Sequence, residues 1–344
     1  MQKEKLILSI CIPTYNRIGI LKKTIVDILQ CPSSKFEIVV VDNKSPDDTC
    51  NVLKSIDDKR LRVIENDTNI GAYLNGIRAM KAASGKYVFV MLDKDRINEE
   101  NLEWFINLLE QKEYSAGYCE LNYESIQRVV REYSCGMEAV LAIGYHSKHP
   151  SGHFFRNTYL QEILPLYESK EDYGFLVDIL CGELGVMKLP AVHVLVPLVY
   201  TEKRSECGKT QSYSVGEPFF FPTKRYEIYS QYLESILSLN IGEYARSIIL
   251  GEIFWRYLLI LRAARYIGND EDILGHYNVT RQQLYENTRN RELFKCFFKL
   301  VKRLFYINSR KMYVSIGAII GFCLCGMSAV RKKLFNCIKK GTNG

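Results

Sequence analysis

The sequence predicts an α/β protein, with a mostly parallel sheet flanked by helices and a helical region towards the C-terminus. Three observations carry that reading. Between Leu6 and Leu92, short apolar runs rich in strand formers alternate with stretches of helical periodicity, the pattern of βαβ units. The runs at Phe36–Val41 and Tyr87–Leu92 stop on carboxylates, Asp42 and Asp93, with Asp95 one residue further on. Beyond about Lys224 the pattern is helical throughout.

The elements follow in order. Leu6 to Ile12 reads as a first strand, closed by Pro13-Thr14-Tyr15-Asn16-Arg17, and a helix from about Gly19 to Gln30 comes next. Phe36 to Val41 is a second strand. In the turn after Asp42, Ser45 is expected as a helix N-cap and Pro46 as the first helical residue. Leu61 to Ile64 gives a third strand, and Asn69-Ile70-Gly71 opens a helix that Ser84-Gly85 stops. Strand four is Tyr87 to Leu92. In open α/β sheets, ligands bind outside the carboxyl ends of the strands, which brings residues 13–17, 42–43 and 93–95 to one edge. A divalent cation would account for the acidic pair there, and so would a solvated turn capping the next helix. Further along come a helix over Asn98–Gln111, strands near Gly117–Asn122 and Gln127–Tyr133, and a turn or short strand at Ser151–Arg156. Helices are expected at about Tyr159–Leu164 and from Glu171. Val192 to Tyr200 contains Pro197 and reads as an edge strand or extended segment, and 203–223 as a long loop.

Composition narrows the function. Eleven scattered cysteines without C-x-x-C pairs or histidine clusters argue against a disulfide framework or zinc site and for a reducing compartment. No signal peptide is evident, so a cytoplasmic location is expected. From Arg291 onward, twelve Lys or Arg face a single acid, Glu292, giving +11 and leaving the preceding 290 residues at −4 of the chain's +7. That distribution argues against nucleic acid as a partner. A dinucleotide-dependent dehydrogenase is excluded because Pro13-Thr14-Tyr15 stands where a G-x-G-x-x-G turn would follow the first strand.

Five short motifs in order and spacing resemble the family 2 glycosyltransferases, which have the GT-A fold. They are Ile-Pro-Thr-Tyr-Asn-Arg at 12–17, Val-Val-Val-Asp-Asn-Lys-Ser at 39–45, Asn-x-Gly at 69–71, Gly-Lys-Tyr-Val before Leu-Asp-Lys-Asp, and Glu-Asp-Tyr at 171–173. The resemblance implies a GT-A catalytic domain over 1–223, with a nucleotide-sugar half (1–115) and an acceptor half (116–223), ahead of a helical region over 224–344. It implies that Pro13, Tyr15 and Arg17 lie beside the base and ribose of a nucleotide-sugar, with a UDP- or dTDP-sugar as donor, and that Asp42 contacts the base. Asp93 would face the ribose and sugar. Asp95 would bind Mn²⁺ or Mg²⁺ on the diphosphate, and Asp172 would be the general base of an inverting transfer. Glu171 and His153 are acceptor-side candidates. The histidine that many members place some thirty residues after the base is missing from Tyr200–Arg204, where Glu202 would stand in or water would complete the metal's shell. The Gln-x-x-Arg-Trp signature of processive synthases is absent, which points to transfer of one sugar to a glycan or polyprenyl-linked acceptor in surface polysaccharide assembly. The rival is a non-catalytic nucleotide-sugar-binding or scaffold protein on the same fold.

The basic tail, 291–344, offers an amphipathic helix from Arg291 to about Tyr306, with lysines opposite its phenylalanines, then nineteen uncharged residues from Met312 to Val330. That pattern suits a monotopic or re-entrant anchor on an anionic membrane surface, at the inner face of the cell membrane. The alternative is that these helices pack together as a soluble C-terminal subdomain or a dimer interface.

Overall fold

In the computed structural model, which describes residues 6–170, 175–201, 218–267, 274–275 and 277–341, the first apolar run becomes β1 (Leu8–Thr14). All but one of its side chains are buried, so it sits inside the sheet. α1 (Ile18–Leu29) follows and buries Leu21, Ile25 and Ile28 at helical spacing. β2 (Phe36–Asp42) lies parallel to β1 with Thr14 opposite Asp42, so the two strands end together. α2 (Thr49–Lys54), β3 (Leu61–Glu65), α3 (Gly71–Lys81) and β4 (Tyr87–Val90) complete the alternating half. The order β3-β2-β1-β4 is parallel throughout.

α2 begins later than the sequence suggests. Ser45 is not its N-cap, because that hydroxyl accepts the Asn16 amide N–H (2.8 Å) and donates to Asp42. Asp47 accepts the amides of both Ile18 and Thr49, so helix formation is deferred to Thr49. The loop after β2 thus staples the turn after β1.

The second half adds β5 (Arg96–Ile97), α4 (Glu99–Gln111), β6 (Ala116–Leu121), β7 (Val129–Tyr133), α5 (Met137–Ile143) and β8 (His153–Arg156). These are followed by α6 (Asn157–Ile163), α7 (Pro165–Glu168), α8 (Leu176–Gly185) and β9 (Ala191–Tyr200). Among the described residues the sheet has nine strands, ordered β3-β2-β1-β4-β8-β6-β9-β5, with β7 also on β9. β9 is therefore an interior strand and not the expected edge. β6 occupies one side, while β7 and β5 share the other in tandem. Pro197 is tolerated because it falls between the β7-paired segment, ending at Leu195, and the β5-paired segment, starting at Val199. Asn101 donates to its carbonyl. The core under this sheet gathers Ile10, Ile12, Phe36, Val40, Phe89, Phe105, Phe154 and Val194.

The chain divides into two compact units, residues 1–210 and 211–344. The second is helical: α9 (Pro222–Ser238), α10 (Glu243–Ile267), α11 (Arg281–Asn287), α12 (Asn290–Ile307) and α13 (Met312–Gly341). Pro222 occupies the first turn of α9, and a Thr280–Gln283 capping box opens α11. α12 packs on α9 and buries Cys296, Leu300 and Leu304, while Phe294 and Phe298, two residues away and so on the other side of the helix, are exposed. Its cations are partly engaged, with Arg303 on Glu234 and Lys299 4.2 Å above the Tyr226 ring. α13 lies along α10 and buries Val314 and Ala318; a Cβ on Gly251 would come 2.8 Å from the Gly321 carbonyl carbon. Among the described residues, no helix is long and apolar enough to cross a membrane.

Candidate active site

The register that aligns Cys11 with Val90 carries on past the strand ends and brings Thr14 beside Asp93. The Thr14 hydroxyl donates to Asp93 Oδ2 at 3.0 Å, and the Arg17 guanidinium donates to Oδ1 at 3.2 Å. Burial pushes the Asp93 carboxyl above the ordinary range, against the opposing pull of Arg17 and Thr14. Asp42 is also buried and likewise raised, against the Ser45 bonds that favour its charge. Pro13 and Tyr15 lie half-buried at the same end of β1. The structure therefore brings together Pro13, Tyr15, Arg17, Asp42 and Asp93, all expected at one sheet edge.

Beneath them lies a frame of amides. Asn43 donates to Asn69 Oδ1 (2.8 Å) and accepts from both Asn66 Nδ2 (2.8 Å) and the Ile70 N–H (2.9 Å). Asn66 also donates to Asn75, whose own Nδ2 reaches the carbonyls of Val41 and Thr14. The ends of β1 and β2 are thereby tied to α3. Gly71, at φ +83°, makes the entry that lets its N–H meet Asn69 Oδ1.

Asp95 is enclosed. Its carboxylate is 0% exposed, Oδ2 accepts from the Ser151 hydroxyl, and Oδ1 has no hydrogen-bond partner among the described residues. A buried, orphaned carboxylate oxygen fits a cation ligand, since leaving it unpaired is costly. Ser151 also receives the Leu92 amide, so β4 and the loop before β8 are joined at this point. Gly152 makes the join possible: its φ is +94°, and a Cβ there would lie 2.7 Å from the Cys119 carbonyl oxygen. His149 Nε2 stands 3.5 Å from Asp95 Oδ2. Burial holds the His149 imidazole below its ordinary value, against the raising effect of Asp95.

His149, Ser151 and Asp178 are the residues that sequence reasoning missed. Asp178, fully buried on α8, accepts the amides of His146 (3.4 Å) and Lys148 (2.9 Å) and fixes the loop that carries His149. Their only sequence signal was an acid within an apolar helical run and a histidine-rich loop. His153, expected on the acceptor side, is instead completely buried. Its Nδ1 sits 2.9 Å from the Pro150 carbonyl and its Nε2 3.7 Å from Asp178, so it serves the packing of this loop. Asp172, Glu171 and Glu202 lie outside the described residues. Among the described residues there is no cluster of three His, Cys, Asp or Glu able to hold a metal alone.

Residues 9–162 match the family model described as glycosyl transferase family 2. The chain is 28% identical over 105 residues to a putative teichuronic acid biosynthesis glycosyltransferase, TuaG, of Bacillus subtilis, a match covering 30% of this chain and 42% of that one. It is 33% identical over 93 residues to the GalNAc(5)-diNAcBac-PP-undecaprenol beta-1,3-glucosyltransferase of Campylobacter jejuni, covering 26% and 30% of the two chains. The chain thus spans less than half the length of either relative. A crystal structure of Staphylococcus aureus TarS 1–349 with UDP-GlcNAc superposes with a TM-score of 0.60 over 92% of this chain and 89% of that one, at 17% identity, a likeness of fold.

Proposed function

We propose, from the premise that residues 9–162 make this chain a member of glycosyl transferase family 2, that it transfers a single sugar, with inversion, from a nucleotide-diphosphate sugar. The acceptor is a glycan or a polyprenyl-linked oligosaccharide in the assembly of bacterial surface polysaccharide. The observation that carries the reading is the convergence of Asp42, Asp93 and Asp95 at the carboxyl ends of β2 and β4, the two strands that flank β1 on a GT-A sheet. The partial likeness to TuaG and to a glucosyltransferase named for a GalNAc(5)-diNAcBac-PP-undecaprenol acceptor supports the acceptor class.

In this mechanism Pro13, Tyr15 and Arg17 lie beside the base and ribose, Asp42 contacts the base, and Asp93, paired with Arg17, faces the ribose and sugar. Asp95 would hold Mn²⁺ or Mg²⁺, and such a cation would supply positive charge to offset that of the diphosphate leaving group. Asp172 takes the proton of the acceptor hydroxyl. The oxygen then bonds to the anomeric carbon from the face opposite the departing diphosphate, which retains the electron pair. The donor is a UDP- or dTDP-sugar. A thermal-shift panel of nucleotide-sugars with and without Mn²⁺ tests this. One nucleotide should raise the unfolding temperature by several degrees, and only with metal, because saturating ligand adds about 2.7 kcal/mol at a hundredfold excess over Kd. Stabilisation by none would overturn the reading, and binding without transfer to any acceptor would reduce the protein to a nucleotide-sugar scaffold.

The helical unit adds a membrane contact to this proposal. On α13, Met312, Tyr313, Ile316, Ile320, Leu324 and Met327 are exposed at helical spacing, and the segment from Arg291 carries +11. An apolar stripe among basic residues favours an anionic bilayer surface, at about 1 kcal/mol for each engaged cation. The full chain should sediment with phosphatidylglycerol vesicles but not phosphatidylcholine vesicles, and Ile320→Glu with Leu324→Glu should release it. Equal sedimentation with both lipids would remove the charge argument.

A further inference from the structure

The loop between α5 and β8 is held in an unusual conformation, and its placement serves one side chain. Tyr145 and Ser147 both have left-handed backbones, at φ +58° and +54°, which non-glycine residues rarely adopt. Asp178 accepts the loop's amides at His146 and Lys148, and the Tyr145 amide donates to the Asp178 backbone carbonyl at 3.4 Å. One turn along α8, Gly182 makes room for the Tyr145 ring, since a Cβ there would come 2.3 Å from it. Strained backbone over-determined in this way is found where a functional group must be aimed. The group aimed is His149, whose Nε2 lies 3.5 Å from the Asp95 carboxylate.

That distance is long for a hydrogen bond and short for unrelated neighbours. Two cis ligands of an octahedral ion with bonds of roughly 2.1 Å lie about 3 Å apart, and Nε2 stands within about half an ångström of that spacing from the Asp95 carboxylate, measured to Oδ2. Asp95 brings an orphaned, fully buried Oδ1 to the same place, and Ser151 fixes its other oxygen. We propose that His149 Nε2 is the second protein ligand of the catalytic cation, beside Asp95, and that it biases the site towards Mn²⁺ over Mg²⁺. The inference rests on the metal-dependent transfer proposed above and adds a ligand from the loop before β8. Imidazole suits later first-row ions, whereas Mg²⁺ prefers oxygen and retains its waters.

The experiment uses the full chain freed of metal with a chelator, then loaded with Mn²⁺ alone and with Mn²⁺ plus UDP. Electron spin echo envelope modulation should show coupling to a directly bonded ¹⁴N in the wild type. His149→Ala should lose that coupling and weaken Mn²⁺ binding by about tenfold or more, with its unfolding temperature unchanged. His149→Gln, which offers an oxygen, should bind without ¹⁴N coupling and lower the Mn²⁺/Mg²⁺ affinity ratio by a similar factor. Mn²⁺ bound to the wild type without nitrogen coupling would overturn this assignment and leave the transfer reading intact. Failure of the wild type to bind Mn²⁺ with either probe would overturn both.

Discussion

Asp95→Asn should leave the protein folded and cut sugar transfer by a factor of about a hundred to a thousand, the usual scale for deleting one preorganised charge-stabilising group. The substitution keeps the shape of a side chain with no solvent exposure, and the amide oxygen can still accept from Ser151. What it removes is the negative charge that a divalent ion requires when it gives up water. Initial rates at saturating Mn²⁺, measured beside a calorimetric unfolding scan, separate the two effects. Full activity in the folded variant would remove Asp95 from the mechanism, and lost activity with a collapsed unfolding temperature would recast it as structural.

The second large effect is expected at Asp178, which no pattern on its own helix marks out. Asp178→Ala withdraws the acceptor shared by the amides of His146 and Lys148 and leaves a void against His153. Losing those bonds at a fully buried carboxylate should cost about 3–5 kcal/mol, which lowers the unfolding temperature by roughly 10 °C for a unit of this size. Transfer should fall as well, because Ser151 and His149 take their positions from the same loop. An unfolding temperature within a degree of wild type would show that the loop keeps its shape without this acceptor.

The contrast between Asp93 and Asp178 explains what the sequence could and could not disclose. Asp93 closes a run of buried strand residues, so local hydrophobicity locates it, and parallel pairing delivers it to Thr14 and Arg17. Asp178 sits within a helix whose apolar side was legible from Phe175, Leu176, Ile179 and Leu180, and an acid there reads as a solvent-facing residue. Its burial depends on a loop thirty residues earlier, a pairing that no local period encodes. β9 shows the same limit from another direction. Pro197 implies an edge only if the strand has one continuous neighbour per side, and here two short strands divide that side between them. His149 has no periodic context at all, and its meaning appears only once Asp95 is seen 3.5 Å away.

The amide frame under the strand ends divides the labour between side chains. Asn43, Asn66, Asn69 and Asn75 hold the ends of β1 and β2 against α3 without any ionisable group. Their hydrogen bonds are therefore indifferent to proton concentration and to the loading of a cation, while Asp42, Asp93 and Asp95 carry the charge. Shape and charge can then vary separately. The acids at these strand ends can be exchanged without the floor shifting, and the floor can be tightened without altering the field above it.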